Sequence, residues 1–292
     1  MKVVTAKTAG FCFGVSRAMN IVEDLLKEGK KVCTLGPIIH NPQAVKNLLS
    51  RGVKTVNTVS ECPDDYVLII RSHGVPESVY HEIESRKLKF VDATCPFVEK
   101  IHRIVKKASD DGDIILIAGD SRHPEVIGIK GFSSGTTYTF KDSDELEKII
   151  KNIENIQNVT ITVVSQTTFD AKLWGKCEKI IKKVCTNAKI FDTICNATSK
   201  RQEEAERLSE ISDLMIVIGG RESSNTAKLK NICEKNCTTV LVETADELPL
   251  DINRFQRIGI TAGASTPAVI INDVLKRISK IIDTVDNKEE LL

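Results

Sequence analysis

One pattern, repeated three times along the chain, constrains the fold more than any other feature. A short β-like run ends at a cysteine and a helix-like run follows, at Cys12, Cys95 and Cys195. A glycine lies 24 residues after each cysteine, and a small polar residue lies 28 residues after it. These residues are Gly36, Gly119 and Gly219, and His40, His123 and Ser223. Fixed spacing over such distances is typical of repeated structural units.

β-Branched runs alternate with stretches of helical periodicity, which predicts an α/β protein with mostly parallel strands. Strand candidates are residues 31–36, 66–72, 113–119, 160–166, 213–220 and 257–263. Residues 143–156 predict a helix that Ser143 or Asp144 could cap, with Leu146, Ile149, Ile150, Ile153 and Ile156 on its apolar face. The final seven residues, DNKEELL, are expected to form a frayed, solvated end.

The repeat extends beyond the cysteines. An acidic, turn-like segment recurs at residues 57–63, 140–146 and 243–249, and a strand with a polar tip follows each one. Aligning the tips places His73, Thr167 and Ser265 at similar positions. We therefore expect three similar α/β domains in a pseudo-threefold arrangement around a central cavity. The predicted domains are residues 13–95, residues 96–194, and residues 1–12 with 195–292.

Composition excludes several classes of function. The 292 residues contain 41 Lys and Arg against 40 Asp and Glu, with 4% aromatics, so nothing favours nucleic-acid binding. The apolar runs are too short to span a bilayer, and the first ten residues lack the features of a secretory signal. We expect a cytoplasmic protein that does not bind membranes, whose nine cysteines are thiols or metal ligands rather than disulfides.

The three repeated cysteines are candidates for a metal centre. A helix start lowers the pKa of a thiol and favours the thiolate that binds metal. Structural zinc sites usually have four ligands and closely spaced pairs, whereas these three cysteines are far apart. Three thiolates suit an iron–sulfur cluster with one iron left without a protein ligand, and the absence of C-x₂-C-x₂-C argues against a dedicated electron carrier. Cys233 and Cys237 have no counterparts in the other repeats and are interpreted as structural.

Polar residues near the strand tips predict an anion site. Imidazoles, hydroxyls and an amide could hold a diphosphate, and no GxxxxGK[ST] or GxGxxG motif favours a nucleotide. The candidates are His40, His73, His123, Ser223, Ser224, Asn225 and Ser265. His81 and His102 lie in helix-like stretches and are assigned no role. Glu125 is the candidate proton donor, and Thr167 could relay or orient its proton.

Nine ordered motifs cover nearly the whole chain. They are GFCFGV (10–15), GPIIHNP (36–42), RSHGVP (71–76), DATCP (92–96), HPEVIG (123–128), SQTT (165–168), CNATSKRQ (195–202), SSNT (223–226) and GAST (263–266). Together they resemble the 4-hydroxy-3-methylbut-2-enyl diphosphate reductases, which catalyse the last step of the methylerythritol phosphate route to isoprenoids. Glu222 and Arg122 stand where that family usually has other residues. A carboxylate at position 222 would repel a diphosphate unless it points away.

The resemblance implies a three-lobed α/β enzyme with a [4Fe–4S] cluster on Cys12, Cys95 and Cys195. It implies that the open iron meets the substrate's hydroxyl, and that two electrons and two protons yield isopentenyl and dimethylallyl diphosphate. The seven anion-site residues would contact the diphosphate, Glu125 would supply the proton with Thr167 and His123 beside it, and ferredoxin or flavodoxin would supply electrons. The alternatives are a zinc-dependent hydrolase of a phosphorylated metabolite and a non-enzymatic binding or scaffold protein.

Overall fold

The computed structural model describes residues 1–289, with side chains described as far as residue 283. The chain divides into two compact units. The split unit comprises Met1–Val15, Ile39–Lys46 and the described residues from Asn196 onward, whereas the middle unit comprises Ser16–Ile38 and Asn47–Cys195. No helix within residues 1–289 is long and apolar enough to cross a membrane.

The middle unit contains two four-stranded parallel sheets. The first has the order β3-β2-β4-β5, and its strands are β2 (Val32–Leu35), β3 (Lys54–Val56), β4 (Val67–Ile70) and β5 (Phe90–Asp92). The second has the order β7-β6-β8-β9, and its strands are β6 (Ile114–Ala118), β7 (Thr137–Phe140), β8 (Ile161–Ser165) and β9 (Ala188–Ile190). The two sheets therefore share one topology.

The split unit contains the third parallel sheet, which has the order β1-β12-β10-β11. Its strands are β1 (Lys2–Thr5), β10 (Leu214–Ile218), β11 (Thr238–Val242) and β12 (Arg257–Ala262). The N-terminal strand β1 pairs with β12, which lies near the other end of the sequence. The predicted division into residues 13–95, 96–194, and 1–12 with 195–292 stays a prediction.

The described chain contains ten α-helices, nine of which lie between strands. They are α1 (Phe13–Lys27), α2 (Pro42–Ser50), α3 (Glu77–Ser85), α4 (Pro96–Asp110), α5 (Pro124–Lys130), α6 (Ser143–Asn152), α7 (Ala171–Val184), α8 (Asn196–Glu210), α9 (Ser224–Cys233) and α10 (Ala268–Glu289). Helix α10 continues into the segment expected to be a frayed end, and residues 290–292 of that segment lie outside the described residues. Three parallel four-stranded sheets alternating with helices confirm the predicted α/β fold class.

Apolar side chains pack on both faces of the sheets, as parallel strands with helical crossovers require. In the second sheet, Leu116 and Val163 pack towards Trp174 of α7, whereas Ile115, Ile117 and Val164 belong to a separate cluster with α4 and α5. Helix α4 and helix α7 therefore cover opposite faces of this sheet. The carboxyl ends of its strands remain available for polar loops, which is where binding residues gather in such folds.

Two details differ from the sequence prediction. The helix predicted over 143–156 ends at Asn152, and its N-cap is Asp142, whose Oδ1 accepts a 2.9 Å hydrogen bond from the backbone N–H of Glu145. Asp142 takes this role because its backbone is extended while Ser143 is already helical. The strands β3, β7 and β11 were absent from the prediction, since each is an edge strand that only partly alternates apolar and polar residues.

Candidate functional site

The three repeated cysteines occupy equivalent places in their sheets. Each one directly precedes a helix of 15 residues, namely α1, α4 or α8. Each backbone N–H donates to a carbonyl in the loop after the neighbouring strand, from Cys12 to Ala264 (3.1 Å), from Cys95 to Ser72 (3.0 Å) and from Cys195 to Thr167 (3.0 Å). The same hydrogen bond thus fastens each of the three helix starts to a strand tip.

The repeated glycines also share one hydrogen bond. Gly36, Gly119 and Gly219 directly follow β2, β6 and β10, and each donates its N–H to the last residue of the outer strand. The acceptors are the carbonyls of Val56, Phe140 and Val242, at 2.7, 2.8 and 3.0 Å. The predicted repeat is therefore present in the backbone bonding and not only in the spacing of residue types.

Strand pairing corrects one alignment made from the sequence. Ile70, Ser165 and Ala262 pair with the residues just before the three repeated glycines, so these three strand ends are equivalent. Counting onward from them makes Thr168, and not Thr167, the counterpart of His73 and Ser265. The placement of Thr167 with those two residues was wrong by one position because the distance from each cysteine to its strand tip is not constant.

The thiols divide into two environments. Cys12, Cys95 and Cys195 are half-buried at their helix starts. Burial raises the pKa of the other six thiols, to about 12 for Cys33 and Cys233 and to about 11 for Cys177. A protonated thiol inside an apolar core is a poor metal ligand. The partly accessible helix-start thiols therefore suit metal binding better than the rest.

Cys233 contributes to an apolar cluster with Leu208 and Met215, and its Sγ lies 3.7 Å from the carbonyl of Ala205. Cys237 packs against the same cluster. This packing agrees with the interpretation of the CxxxC pair as structural.

Helix α8 holds the loop that carries Cys12. Arg201 is 3% exposed, and its guanidinium donates to the carbonyls of Thr8 and Gly10. Glu204, one turn further along, accepts from the N–H groups of Lys7 and Thr8 and from the hydroxyl of Thr8, at 2.6–2.8 Å. Both side chains belong to the helix that starts after Cys195. Sequence reasoning missed them, although they lie in or just after the CNATSKRQ motif.

Helix α9 brings three predicted anion-site residues together in the split unit. Ser223 is its N-cap and accepts from the backbone N–H of Thr226 at 3.4 Å, and Ser224 and Asn225 form its first turn. Among the described residues, neither amide atom of Asn225 has a hydrogen-bond partner, although this side chain is 4% exposed. A buried amide without partners favours a missing polar ligand, and a helix N-terminus favours an anion.

Ser265 and His40 lie beside this helix start. The hydroxyl of Ser265 donates to the carbonyl of His40 at 3.0 Å, and the Ser223 N–H donates to Gly220 at 3.1 Å. A Cβ atom at Gly220 would lie 2.9 Å from the His40 carbonyl, so only glycine permits this approach. The split unit therefore gathers five predicted anion-site residues: His40, Ser223, Ser224, Asn225 and Ser265.

The remaining two histidines of the predicted anion site meet in the middle unit. The rings of His73 and His123 pack edge to face with centroids 5.4 Å apart. His123 caps helix α5, and its Nδ1 accepts from the N–H of Glu125 at 3.1 Å. Because Nδ1 is an acceptor, a neutral imidazole carries its proton on Nε2, which can donate to a phosphate oxygen.

Glu125 and Thr167 form a buried pair. The backbone N–H of Thr167 donates to Oε1 of Glu125 at 2.6 Å, and the Thr167 hydroxyl donates to Oε2 at 2.8 Å. Glu125 is 2% exposed. Thr167 also accepts from Cys195, so one loop residue contacts both a repeated cysteine and the carboxyl group. The structure thus brings together the two residues predicted for proton transfer.

The two histidines assigned no role differ in their surroundings. His81 is exposed on α3, whereas His102 is buried on α4 and stacks on Phe132 with centroids 4.2 Å apart. Burial lowers the pKa of His102 to about 4. Gly74, beside His73, has a φ of +70°, and a Cβ there would lie 2.5 Å from the His102 ring. His102 therefore supports the loop that carries His73.

The two departures from the family pattern face solvent. The side chain of Arg122 is 89% exposed and lies 3.5 Å from Asp120, and Glu222 is exposed just before the α9 cap. An exposed carboxylate at position 222 is screened by water, so its repulsion towards an anion at the helix start is weak.

Comparison with known proteins gives one consistent result. Residues 3–279 match the family model described as LytB protein. The chain is 43% identical to a 4-hydroxy-3-methylbut-2-enyl diphosphate reductase of Clostridioides difficile, covering 94% of this chain and 98% of that protein. It is also 43% identical to the enzyme of the same name from Alkaliphilus oremlandii, covering 96% of this chain and all of that one.

Solved structures give the same relationship. One is described as (E)-4-hydroxy-3-methyl-but-2-enyl diphosphate reductase, the terminal enzyme of the non-mevalonate pathway. It is 38% identical, with a TM-score of 0.69 over 96% of this chain and 100% of that one. The reductase structure from Plasmodium falciparum is 28% identical, with a TM-score of 0.88 over 95% of this chain and 87% of that one.

Proposed function

The chain belongs to the LytB protein family, and we propose that it reduces (E)-4-hydroxy-3-methylbut-2-enyl diphosphate to isopentenyl and dimethylallyl diphosphate. The reaction consumes two electrons and two protons, breaks the allylic C–O bond and releases the oxygen as water. The match over residues 3–279, with its three equivalent helix-start cysteines, is the observation that carries this proposal. This match does not favour the alternative of a zinc-dependent hydrolase, which would need no external electrons.

Cys12, Cys95 and Cys195 are proposed to hold a [4Fe–4S] cluster. Their half-buried thiols at three equivalent helix starts fit such a group, whereas five of the other six thiols are buried and burial raises the pKa of all six. When bound, the cluster supplies single electrons and a Lewis-acidic iron that polarises the substrate's hydroxyl. Arg201 and Glu204 keep the Cys12 loop in place, and backbone bonds hold the other two cysteines.

The diphosphate is proposed to bind the histidines and the α9 helix start. Its contacts are His40, His73, His123, Ser223, Ser224, Asn225 and Ser265. The unpartnered amide of Asn225 and the N–H groups of the first turn of α9 support this assignment, because both suit phosphate oxygens. His123 adds an Nε2–H donor on a ring fixed by its bond to Glu125.

Glu125 is proposed as the proton donor, with Thr167 and His123 positioned around it. Loss of a hydroxyl as water requires a proton at that oxygen, and Glu125 is a carboxyl group inside a water-poor site. Thr167 binds both carboxyl oxygens, so it fixes the plane of the group. Because a carboxyl proton lies in the plane of its group, a fixed plane restricts the directions in which that proton can point.

The chain is proposed to receive its electrons from an external carrier such as ferredoxin or flavodoxin in the cytoplasm. No nucleotide-binding GxGxxG motif is present to suggest that the chain itself binds a nicotinamide or flavin dinucleotide.

Anaerobic turnover of the allylic diphosphate with reduced methyl viologen tests the proposal. Wild type should yield both isoprenoid diphosphates, and Glu125→Gln should lower kcat by about 10²–10⁴-fold, since general acid catalysis contributes that much. Glu147→Gln, an exposed glutamate on α6, is the matched control and should leave kcat unchanged. Hydrolytic activity in air without a reductant would contradict the proposal.

A further inference from the structure

A groove of about 530 Å³ lies on the surface of the middle unit, outside the residues assigned to catalysis. One side of the groove is formed by a face of helix α4 and by Asp111, the residue that follows this helix. The other side includes Lys189 of β9 and Phe191, which follows β9. The lining residues are Lys100, Arg103, Ile104, Lys107, Ala108, Asp111, Thr162, Lys189 and Phe191. The α4 residues follow the i, i+3, i+4, i+7 spacing of a single helix face.

The groove is strongly basic although the chain as a whole is nearly neutral. Lys100, Arg103 and Lys107 are exposed, and within the described residues none of them forms an ion pair. Asp111 is the one carboxylate in the lining. The fourth cation, Lys189, is already paired with buried Asp113 at 3.0 Å. Three uncompensated cations therefore face one groove.

This charge is specific to one of the three equivalent helices. Counting five, eight and twelve residues from the preceding cysteine gives Lys100, Arg103 and Lys107 on α4. The same count gives Arg17, Asn20 and Asp24 on α1, and Lys200, Glu203 and Arg207 on α8. The fold alone therefore does not demand three cations on this face, since its two counterparts carry mixed charge.

One residue on each side of the groove lies close in sequence to a proposed cluster ligand. Lys100 lies five residues after Cys95, the N-cap of helix α4, which corresponds to a rise of about 7.5 Å. Phe191, which is an exposed aromatic side chain in the lining, lies four residues before Cys195. Lys100 and Phe191 are therefore the lining residues nearest in sequence to two of the three cysteines. Phe191 and Ile104 offer a bound protein apolar contact beside the cations, and an apolar patch within a polar rim is typical of a specific interface.

We propose that this groove docks an acidic one-electron carrier protein. The proposal rests on the proposed function, which requires two electrons from outside the chain. Each reduced carrier loses one electron on docking, so two dockings supply the pair that reduces one substrate with two protons and releases one water. Lys100, Arg103 and Lys107 attract carboxylates on the carrier, and such contacts act mainly on the rate of encounter and its salt dependence.

Charge reversal on the two faces of one sheet tests the proposal. The test variant is Lys100→Glu, Arg103→Glu, Lys107→Glu on α4, and the matched control is Lys176→Glu, Lys179→Glu, Lys183→Glu on α7. All six residues are exposed, and both triples change the net charge equally. Each holoenzyme is assayed with a purified acidic ferredoxin and, separately, with reduced methyl viologen, and ferredoxin binding is titrated without substrate.

The α4 triple should lower kcat/KM for ferredoxin by at least about tenfold and weaken its binding, with viologen-driven turnover unchanged. For wild type, kcat/KM for ferredoxin should also decrease from low to high salt, whereas for the α4 triple it should no longer depend on salt. The α7 triple should match wild type. Unchanged ferredoxin binding and kinetics in the α4 triple, or equal losses in the α7 triple, would overturn the proposal.

Two further outcomes have separate meanings. If the α4 triple abolished binding of single-stranded RNA while ferredoxin kinetics stayed intact, the groove would be a nucleic-acid site and the proposal would be overturned. If wild type showed no viologen-driven reduction, the proposed function would fail. The binding titration still decides the docking proposal in that case, because it requires no turnover.

Discussion

Replacing Thr167 by valine tests the arrangement around Glu125. Valine has nearly the shape of threonine and keeps the backbone N–H, so the 2.6 Å bond to Oε1 survives while the 2.8 Å bond to Oε2 is lost. Glu125 becomes a carboxylate as it gives up its proton, and a hydrogen bond to a charged group contributes about 1.5–3 kcal/mol. Water cannot easily replace it, because Glu125 is 2% exposed. If the whole loss falls on the transition state, kcat decreases by about 13- to 160-fold.

The assay is anaerobic turnover at saturating substrate with reduced methyl viologen, normalised to the iron content of each variant. Thr167→Ser restores the hydroxyl and should stay close to wild type. Thr186→Val should leave kcat unchanged, because Thr186 is exposed after α7 and its hydroxyl donates to Oε1 of Gln157 at 3.2 Å. The reasoning is refuted if Thr167→Val retains wild-type kcat, or if Thr167→Ser is as slow as Thr167→Val.

Two further predictions concern stability. Arg201→Met removes charge-assisted bonds to the carbonyls of Thr8 and Gly10 and should lower the free energy of unfolding by about 2–3 kcal/mol and speed the loss of iron in air. Urea titration and iron analysis check this, with exposed Lys200→Met as the control; equal effects in both variants would contradict it. The second prediction concerns His102, whose pKa is lowered by burial to about 4. As the pH falls, this histidine takes up a proton in the unfolded chain before it does so in the folded protein. The free energy of unfolding of wild type should therefore decrease by about 3 kcal/mol between pH 6.5 and 4. Urea titrations across that pH range should show that His102→Gln lacks this part of the decrease. If the free energy of unfolding of His102→Gln changed with pH as steeply as that of wild type, the prediction would be refuted.

The sequence predicted the parts of the fold that depend on local pattern. The strands ending near Gly36, Gly119 and Gly219 are apolar except for Thr34, and the helix after Cys95 has a clear apolar face, so both were predicted and found. The edge strands β3, β7 and β11 were missed because a half-exposed edge has a weaker pattern.

Positions set by pairing between distant segments were harder to predict. The alignment of Thr167 with His73 was wrong by one residue because the register comes from hydrogen bonds between β6 and β8, which no local spacing records. The anchoring of the Cys12 loop by Arg201 joins residues more than 190 positions apart. By contrast, the contact between Glu125 and Thr167, predicted from chemistry, is present in the structure.

The central claim is that Cys12, Cys95 and Cys195 alone bind the metal centre, and iron and sulfide analysis of anaerobically prepared protein tests it most directly. Wild type should be brown and contain about four irons and four sulfides per chain. Replacing any of the three cysteines by serine should sharply reduce that content. Cys185→Ala, which alters a buried thiol whose pKa is raised by burial, should leave it unchanged. A colourless wild-type protein with stoichiometric zinc, or full iron content in all three serine variants, would contradict the account.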